Sequence, residues 1–283
     1  MDLGSTALVF SKLTFEESLG KLRALGLDGF ELYHPFFYKS IFQGTLSLEP
    51  KGLKDVMVLV EAYGLKVLSV NAGNNFVQPD MKLFQEQVEG VKACVDVAAE
   101  IGCPVVRVFG GEFAEGKTEA QCIGAITEGL RQSAAHAEER GVTLALENHG
   151  RITNNIDTLM GILKEVGSES LKVNLDTGNF YWFGYKLSEV EAIFEKLAPM
   201  TAHTHMKNGT TPRREERRKP GEVKLVPLPE GDIDLAKIVK LLKAKGYKGA
   251  ISMEDEFEGW TSLPIEKVME TLKKDADYLR AAM

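Results

Sequence analysis

The strongest constraint on this chain is an alternation that runs from end to end. Short β-rich runs are separated by longer segments whose apolar residues recur at helical spacing. The strand candidates are Ala7–Phe10 (ALVF), Gly29–Tyr33 (GFELY), Val67–Ala72 (VLSVNA) and Val105–Gly110 (VVRVFG). They continue with Thr143–Asn148 (TLALEN), Leu171–Asp176 (LKVNLD), Thr201–Met206 (TAHTHM) and Ala250–Asp255 (AISMED). Several intervening segments stop at a glycine just before the next strand, at Gly26, Gly102, Gly141 and Gly246, the usual helix C-terminal signal. Eight such units in 283 residues, without a linker or low-complexity break, predict one α/β domain over residues 1–283, a (β/α)8 TIM barrel. An open doubly wound sheet is the rival, but no G-x-G-x-x-G follows the first strand.

Composition narrows the function classes. No apolar run approaches the ~18–20 residues that cross a bilayer, and the start MDLGSTALVF lacks a basic region leading into an apolar stretch. No membrane role and a cytoplasmic location are therefore expected. Cys94, Cys103 and Cys122 are odd in number and include no CxxC, which argues against a disulfide framework or a zinc knuckle. A net charge of −7 disfavours a nucleic-acid surface. The one basic run, Arg213 to Lys219, reads either as a solvated loop with self-compensating charge or as a site for a substrate phosphate or carboxylate.

Two of the five histidines, His203 and His205, stand one residue apart in TAHTHMKN. Side chains at i and i+2 share a face only in extended backbone. In a barrel, strand residues alternate between interior and helix layer, and sites form at the C-terminal strand ends. Sorted by parity, the last four strands each end in an inward-facing residue able to ligate a metal: Glu147, Asp176, His205 and Glu254. His203 falls one layer deeper. The alternative is an ion-pair cluster in which Lys172, Lys207 and Arg107 neutralise the carboxylates, although Lys172 falls four residues below Asp176. Three carboxylates converging without a cation would repel and force protonation. Three oxygen donors and one imidazole suit one divalent ion: Mn2+, Mg2+, Co2+ or Zn2+.

The motifs LALENHG, VNLDTGN, HTHMKN and GAISMEDE, in that order and spacing, resemble the sugar isomerase/epimerase family built on the xylose-isomerase-like barrel. The resemblance implies a single metal held by Glu147, Asp176, His205 and Glu254, with the two glutamates doubling as acid/base groups. Members that epimerise free ketoses commonly carry a histidine three residues after the aspartate and a second glutamate six after the first. Here those positions are Asn179 and Thr153, which weighs against a ketose 3-epimerase.

The expected function is a metal-dependent isomerase or epimerase of a ketose, aldose or small hydroxy-ketone, proceeding through an enediolate. The alternative is a lyase that dehydrates a keto-inositol or keto-sugar at the same site. A silent sugar-binding barrel is a further rival. An endonuclease would need more metal ligands than this chain offers. Substrate-contact candidates are His149, Asn179, His203, Trp182, Arg107 and Lys207, with Glu31 and Asn71 as weaker wall positions. His149 could equally be a loop histidine, and Arg107 a structural partner of Glu147 or Glu31. Tyr33, Phe36, Phe37, Tyr38, Phe42, Phe180, Tyr181 and Trp182 are expected around the mouth, as a sugar platform, a lid or a homo-oligomer interface. The segment 207–232 is too long for an idle connection and is expected to fold over the site.

Overall fold

The computed structural model describes residues 1–38, 50–254 and 256–283, without the side chains of residues 50 and 51. Eight parallel strands close into a barrel: β1 (Leu3–Ser5), β2 (Gly29–Tyr33), β3 (Lys66–Asn71), β4 (Val105–Val108), β5 (Thr143–Glu147), β6 (Leu171–Asp176), β7 (Thr201–Met206) and β10 (Ile251–Met253). Between β7 and β10, the short strands β8 (Asn208–Thr210) and β9 (Lys224–Val226) pair as an antiparallel hairpin. The helices are α1 (Phe15–Ala24), α2 (Pro50–Ala62), α3 (Met81–Glu100), α4 (Glu119–Arg140), α5 (Ile156–Val166), α6 (Asn179–Phe183), α7 (Leu187–Leu197), α8 (Leu235–Ala244) and α9 (Ile265–Ala282).

Local chemistry fixes these boundaries. Thr14 and Glu17 form a capping box at the start of α1, as Thr118 and Gln121 do for α4. Gly141 (φ 68°) ends α4 in the left-handed region, the conformation that glycine adopts without a Cβ penalty. The outward parity residues Leu144, Leu146, Val173, Leu175, Ile251 and Met253 are all buried against the helix layer. Each such side chain contributes about 1.5–3 kcal/mol on burial.

One strand differs from expectation. Ala7–Phe10 is not extended: Leu8–Phe10 forms a single 3-10 turn after Ala7, whose φ is 59°, and the first strand is Leu3–Ser5. Leu3-Gly4-Ser5 carries little β signal, but the barrel closes there so tightly that a Cβ on Gly4 would lie 2.9 Å from the Gly29 carbonyl oxygen. The apolar residues after it supply core instead, with Val9 and Phe10 buried. The last strand is also shorter than expected, and Asp255 lies outside the described residues.

The register aligns the functional strand ends. Asp176 pairs with His205, and His205 with Ser252. An irregularity between Val173 and Asn174 brings Asn174 opposite His203, so both histidines keep step with the polar face of β6. No helix among the described residues is long and apolar enough to cross a membrane.

Candidate metal centre

Glu147 ends β5, Asp176 ends β6, His205 lies in β7 and Glu254 follows β10, and all four are buried or nearly so. One potential ligand atom from each lies within 4.8 Å of the others. His205 Nδ1 is 3.4 Å from Glu147 Oε2 and 3.7 Å from Glu254 Oε2. The other carboxylate oxygen of Asp176, Oδ1, accepts from the backbone N–H groups of Gly178 and Asn179 at 2.8 Å each, which leaves Oδ2 aimed at the cluster. Asn148 clamps the same strand end, accepting from Asp176 N–H at 2.9 Å and donating to its carbonyl at 3.0 Å.

Glu147 Oε2, Asp176 Oδ2, His205 Nδ1 and Glu254 Oε2 are all buried without a hydrogen-bond partner. An unsatisfied buried polar atom costs about 1–3 kcal/mol, so four at one point are expensive unless a cation joins them. Three carboxylate oxygens and an imidazole nitrogen are a donor set that fits a divalent ion.

The ion-pair alternative is partly realised. Lys207 Nζ is 2.6 Å from Glu254 Oε2, 3.4 Å from Asp176 Oδ2 and 3.1 Å from Glu256 Oε2. Arg107 Nε is 3.5 Å from Glu147 Oε2, while its Nη1 donates to the Ala72 carbonyl. Lys172 takes no part and pairs with Glu169 far below. Counting the fully buried Glu31 and the half-buried Glu256, five carboxylates face the basic side chains of Arg107 and Lys207, an excess of negative charge that a divalent ion would offset. Without that ion, burial drives the Asp176 carboxyl well above the usual carboxylate range, and repulsion from Glu254 and Glu147 adds to this. Burial opposes the charged form of His205, but Glu31, Glu147 and Glu254 outweigh it and raise its pKa well above the ordinary value. Burial likewise opposes Glu254 ionisation, yet Lys207 and His205 hold that carboxylate low.

The remaining expected site residues separate into three groups. Asn179 is buried at the cluster, its Nδ2 3.0 Å from the Asn148 carbonyl and 3.4 Å from Glu147 Oε1. His203 is not open to the mouth: its ring is buried beneath His205, with Nε2 2.9 Å from Glu31 Oε1. His149 is not inward-facing either. β5 ends at Glu147, so the alternation stops, and His149 is exposed on the rim with its ring 4.5 Å from that of Phe109. Phe109 in turn lies 4.1 Å beneath the Arg107 guanidinium. Thr153 Oγ1 sits 2.8 Å from the Glu147 carbonyl and fastens this turn.

The aromatic loops also differ from expectation. Phe180 and Tyr181 are fully buried beneath the long segment, and Tyr181 donates to Asp232 at 2.8 Å. Trp182 is half-buried, and its carbonyl accepts from Gly221. Phe36 and Phe37 pack edge-on over Gly90 of α3, Tyr33 is buried against Tyr38, and Phe42 lies outside the described residues. The basic run is self-compensated. Arg213 pairs with Glu216 and Glu222, Arg214 with Asp232 and Arg217 with Glu189. Buried Arg218 donates to the carbonyls of Arg213, Glu216, Tyr181 and Tyr185. Lys207 and Asn148 are the residues whose reach parity understated. A polar side chain at an outward position directly after a ligand strand is the signal that could have found Asn148.

The hairpin bounds a cleft of about 590 Å3, whose walls include Val223, Leu225, Glu256, Phe257 and Trp260. Through Glu256 and Lys207 this cleft adjoins the acidic cluster. Residues 19–282 match the family of xylose isomerase-like TIM barrels. The chain belongs to that family. Its named relatives are sugar isomerases, epimerases and a dehydratase. It is 26% identical over 247 residues to an inosose isomerase of Halalkalibacterium halodurans, covering 81% of this chain and 82% of the relative. It is 23% identical over 296 residues to an inosose dehydratase of Geobacillus thermodenitrificans, covering 95% and 90%. A solved structure of IOLI protein with a binding zinc atom shares the fold, with a TM-score of 0.77, 20% identity and coverage of 100% and 99%.

Proposed function

We propose that this chain is a divalent-metal-dependent isomerase or epimerase of a ketose, aldose or small hydroxy-ketone, working through an enediolate. The observation that carries the reading is the convergence of four buried ligand atoms, none with a hydrogen-bond partner, on Glu147, Asp176, His205 and Glu254, where Lys207 and Arg107 offset only part of the charge. These four residues would hold Mn2+, Mg2+, Co2+ or Zn2+. When bound, the ion supplies Lewis-acid polarisation of a carbonyl and so acidifies the neighbouring C–H.

Glu147 and Glu254 come from β5 and from beyond β10, with β6 and β7 between them. A substrate lying over the barrel axis meets one carboxylate on each side. One takes the proton and the other returns it. Return to the opposite face of the same carbon epimerises, and return to the adjacent carbon isomerises. Burial opposes ionisation of both glutamates, but His205 and then Arg107 hold the Glu147 carboxylate low, and Lys207 and then His205 do the same for Glu254, which leaves both able to accept. Asn179 provides a polar contact beside Glu147, and His149 and Trp182 provide polar and aromatic contacts for a sugar farther out.

The Lys207 ammonium, 2.6 Å from Glu254, also favours a second reading. An ammonium beside the base can protonate a departing β-hydroxyl, which makes the same site a keto-inositol or keto-sugar dehydratase. Asn179 and Thr153, where ketose epimerases carry histidine and glutamate, point the same way.

Candidate keto-sugars incubated in deuterium oxide with metal-loaded protein test both readings. Exchange of the α-proton is expected, and Glu147→Gln or Glu254→Gln should slow it by about 100-fold or more. Exchange at the wild-type rate in either variant removes that residue as a base. A product lighter by one water assigns the dehydratase.

A further inference from the structure

Below the acidic cluster lies a carboxylate that the proposed chemistry does not use. Glu31, at the centre of β2, is fully buried, and both of its oxygens are saturated. Oε1 contacts His203 Nε2 at 2.9 Å and accepts from the Ser252 hydroxyl. Oε2 accepts from Asn71 Nδ2 at 2.7 Å and contacts His205 Nε2 at 3.2 Å. One side chain thus ties together β2, β3, β7 and β10.

We infer that Glu31 is a positioning residue for the metal centre: it fixes the proton of His205 on Nε2, so that Nδ1 presents its lone pair to the ion. The inference rests on the metal reading above. An ionised carboxylate only accepts, so an imidazole nitrogen facing it must carry the proton. The opposite nitrogen of His205 is the one aimed at Glu147 and Glu254, and it has no hydrogen-bond partner. A Nδ1–H tautomer would point a proton into the ligand position and leave two acceptors face to face at Nε2. The same logic holds His203 as Nε2–H, making its ring a prop under His205 at a centroid separation of 5.8 Å. Glu31, His203 and His205 are close enough together to suggest an ion of their own. The two extra donors from Asn71 and Ser252 fill that space and identify a hydrogen-bond hub instead.

Carboxylate partners of ligating histidines typically change metal affinity by about 10–100-fold. Glu31→Gln turns an amide donor toward His205 or swaps the tautomer, so its Zn2+ affinity, read by competition with a chelator, should fall by that factor. A purely structural Glu31 would instead lower the melting temperature of the metal-free protein and leave the Zn2+ affinity of the folded variant unchanged. Equal Zn2+ affinity in wild type and variant overturns this inference alone. Failure of the wild type to take up Zn2+ overturns the metal reading and this one with it. Two Zn2+ per chain, one lost in Glu31→Gln, would show an ion where the hub is inferred and overturn it. If the variant does not fold, long-range proton–nitrogen correlation NMR on Zn2+-loaded wild type decides the matter. A proton on His205 Nε2 and zinc on Nδ1 are expected, and the reverse assignment overturns the inference.

Discussion

Two regions of this chain concentrate charge, and they behave in opposite ways. The strand-end cluster of Glu147, Asp176, His205 and Glu254 is buried, and its inward-facing atoms lack hydrogen-bond partners despite two nearby cations. The run Arg213 to Lys219 is denser in charge along the chain but mostly exposed, and its four arginines have carboxylate or carbonyl partners close by. Charge density alone therefore does not mark a site. What separates the two is convergence without satisfaction: a surface run can relax to its own partners, whereas strand ends held by a barrel cannot.

The largest expected effect breaks the comparison at its buried side. His205→Ala removes one of four ligands, and metal affinity should fall by more than about 100-fold. Metal content by plasma mass spectrometry, on wild type and variant prepared identically, checks this. A variant that retains one ion per chain would sink the strand-end site. Next in size is the pH dependence of loading. In the metal-free protein the pKa values of Asp176 and His205 are both raised, so protons occupy positions that the ion needs. Affinity should therefore strengthen with rising pH, by up to about tenfold per unit for each proton displaced. Calorimetry in two buffers of different ionisation enthalpy counts those protons, and zero release would contradict the shared-site geometry.

Asp275 offers a control between the two regions, a buried carboxyl with no ion pair among the described residues. It accepts from Leu228 N–H at 3.0 Å, and burial pushes its pKa up to about 7. A folded pKa above the unfolded value means that the native state binds more protons between the two. Stability is thus lost as pH rises from the unfolded value of 3.8 to about 7. Asp275→Asn, which keeps an acceptor, should be more stable than wild type by on the order of 4 kcal/mol at pH 8. The difference should vanish near pH 4, as read by urea unfolding at both pH values. The smallest effect lies at the exposed side. Arg213→Ala should leave the urea midpoint almost where it is and the metal content untouched, because an exposed ion pair adds little. A clear loss of metal there would mean that the loop and the centre are coupled after all.

Much of the barrel was legible because parity and burial agree. β6 and β7 run over the expected residues, and the outward set of Leu144, Leu146, Val173 and Leu175 is buried as the alternation requires. The four strand-end residues meet for the same reason. What the sequence did not disclose depends on contacts between distant segments. Leu3–Ser5 is a strand because Gly4 lets it approach Gly29, a fact of packing and not of β propensity. His149 sits outside because the strand ends two residues before it. Glu31 lies 172 residues from His203 and 174 from His205, and only barrel closure reveals that they share a bond. Tyr181 and Phe180 read as rim aromatics, but the long segment that covers them is itself the second half of a small core.

That segment has mechanical consequences. Asn208 is buried, and its amide spans the carbonyls of Leu228 and Ile233. Asp232 gathers Tyr181, Thr210 and Thr211, while Arg218 pins the far end to α6. Anchored at so many points, the hairpin is a fixed wall of the cleft and not a shutter. A ligand of this cleft would then come and go past some other part of the rim, without waiting on the hairpin's opening. Stapling its two strands together with a disulfide should therefore leave the traffic of small molecules undisturbed.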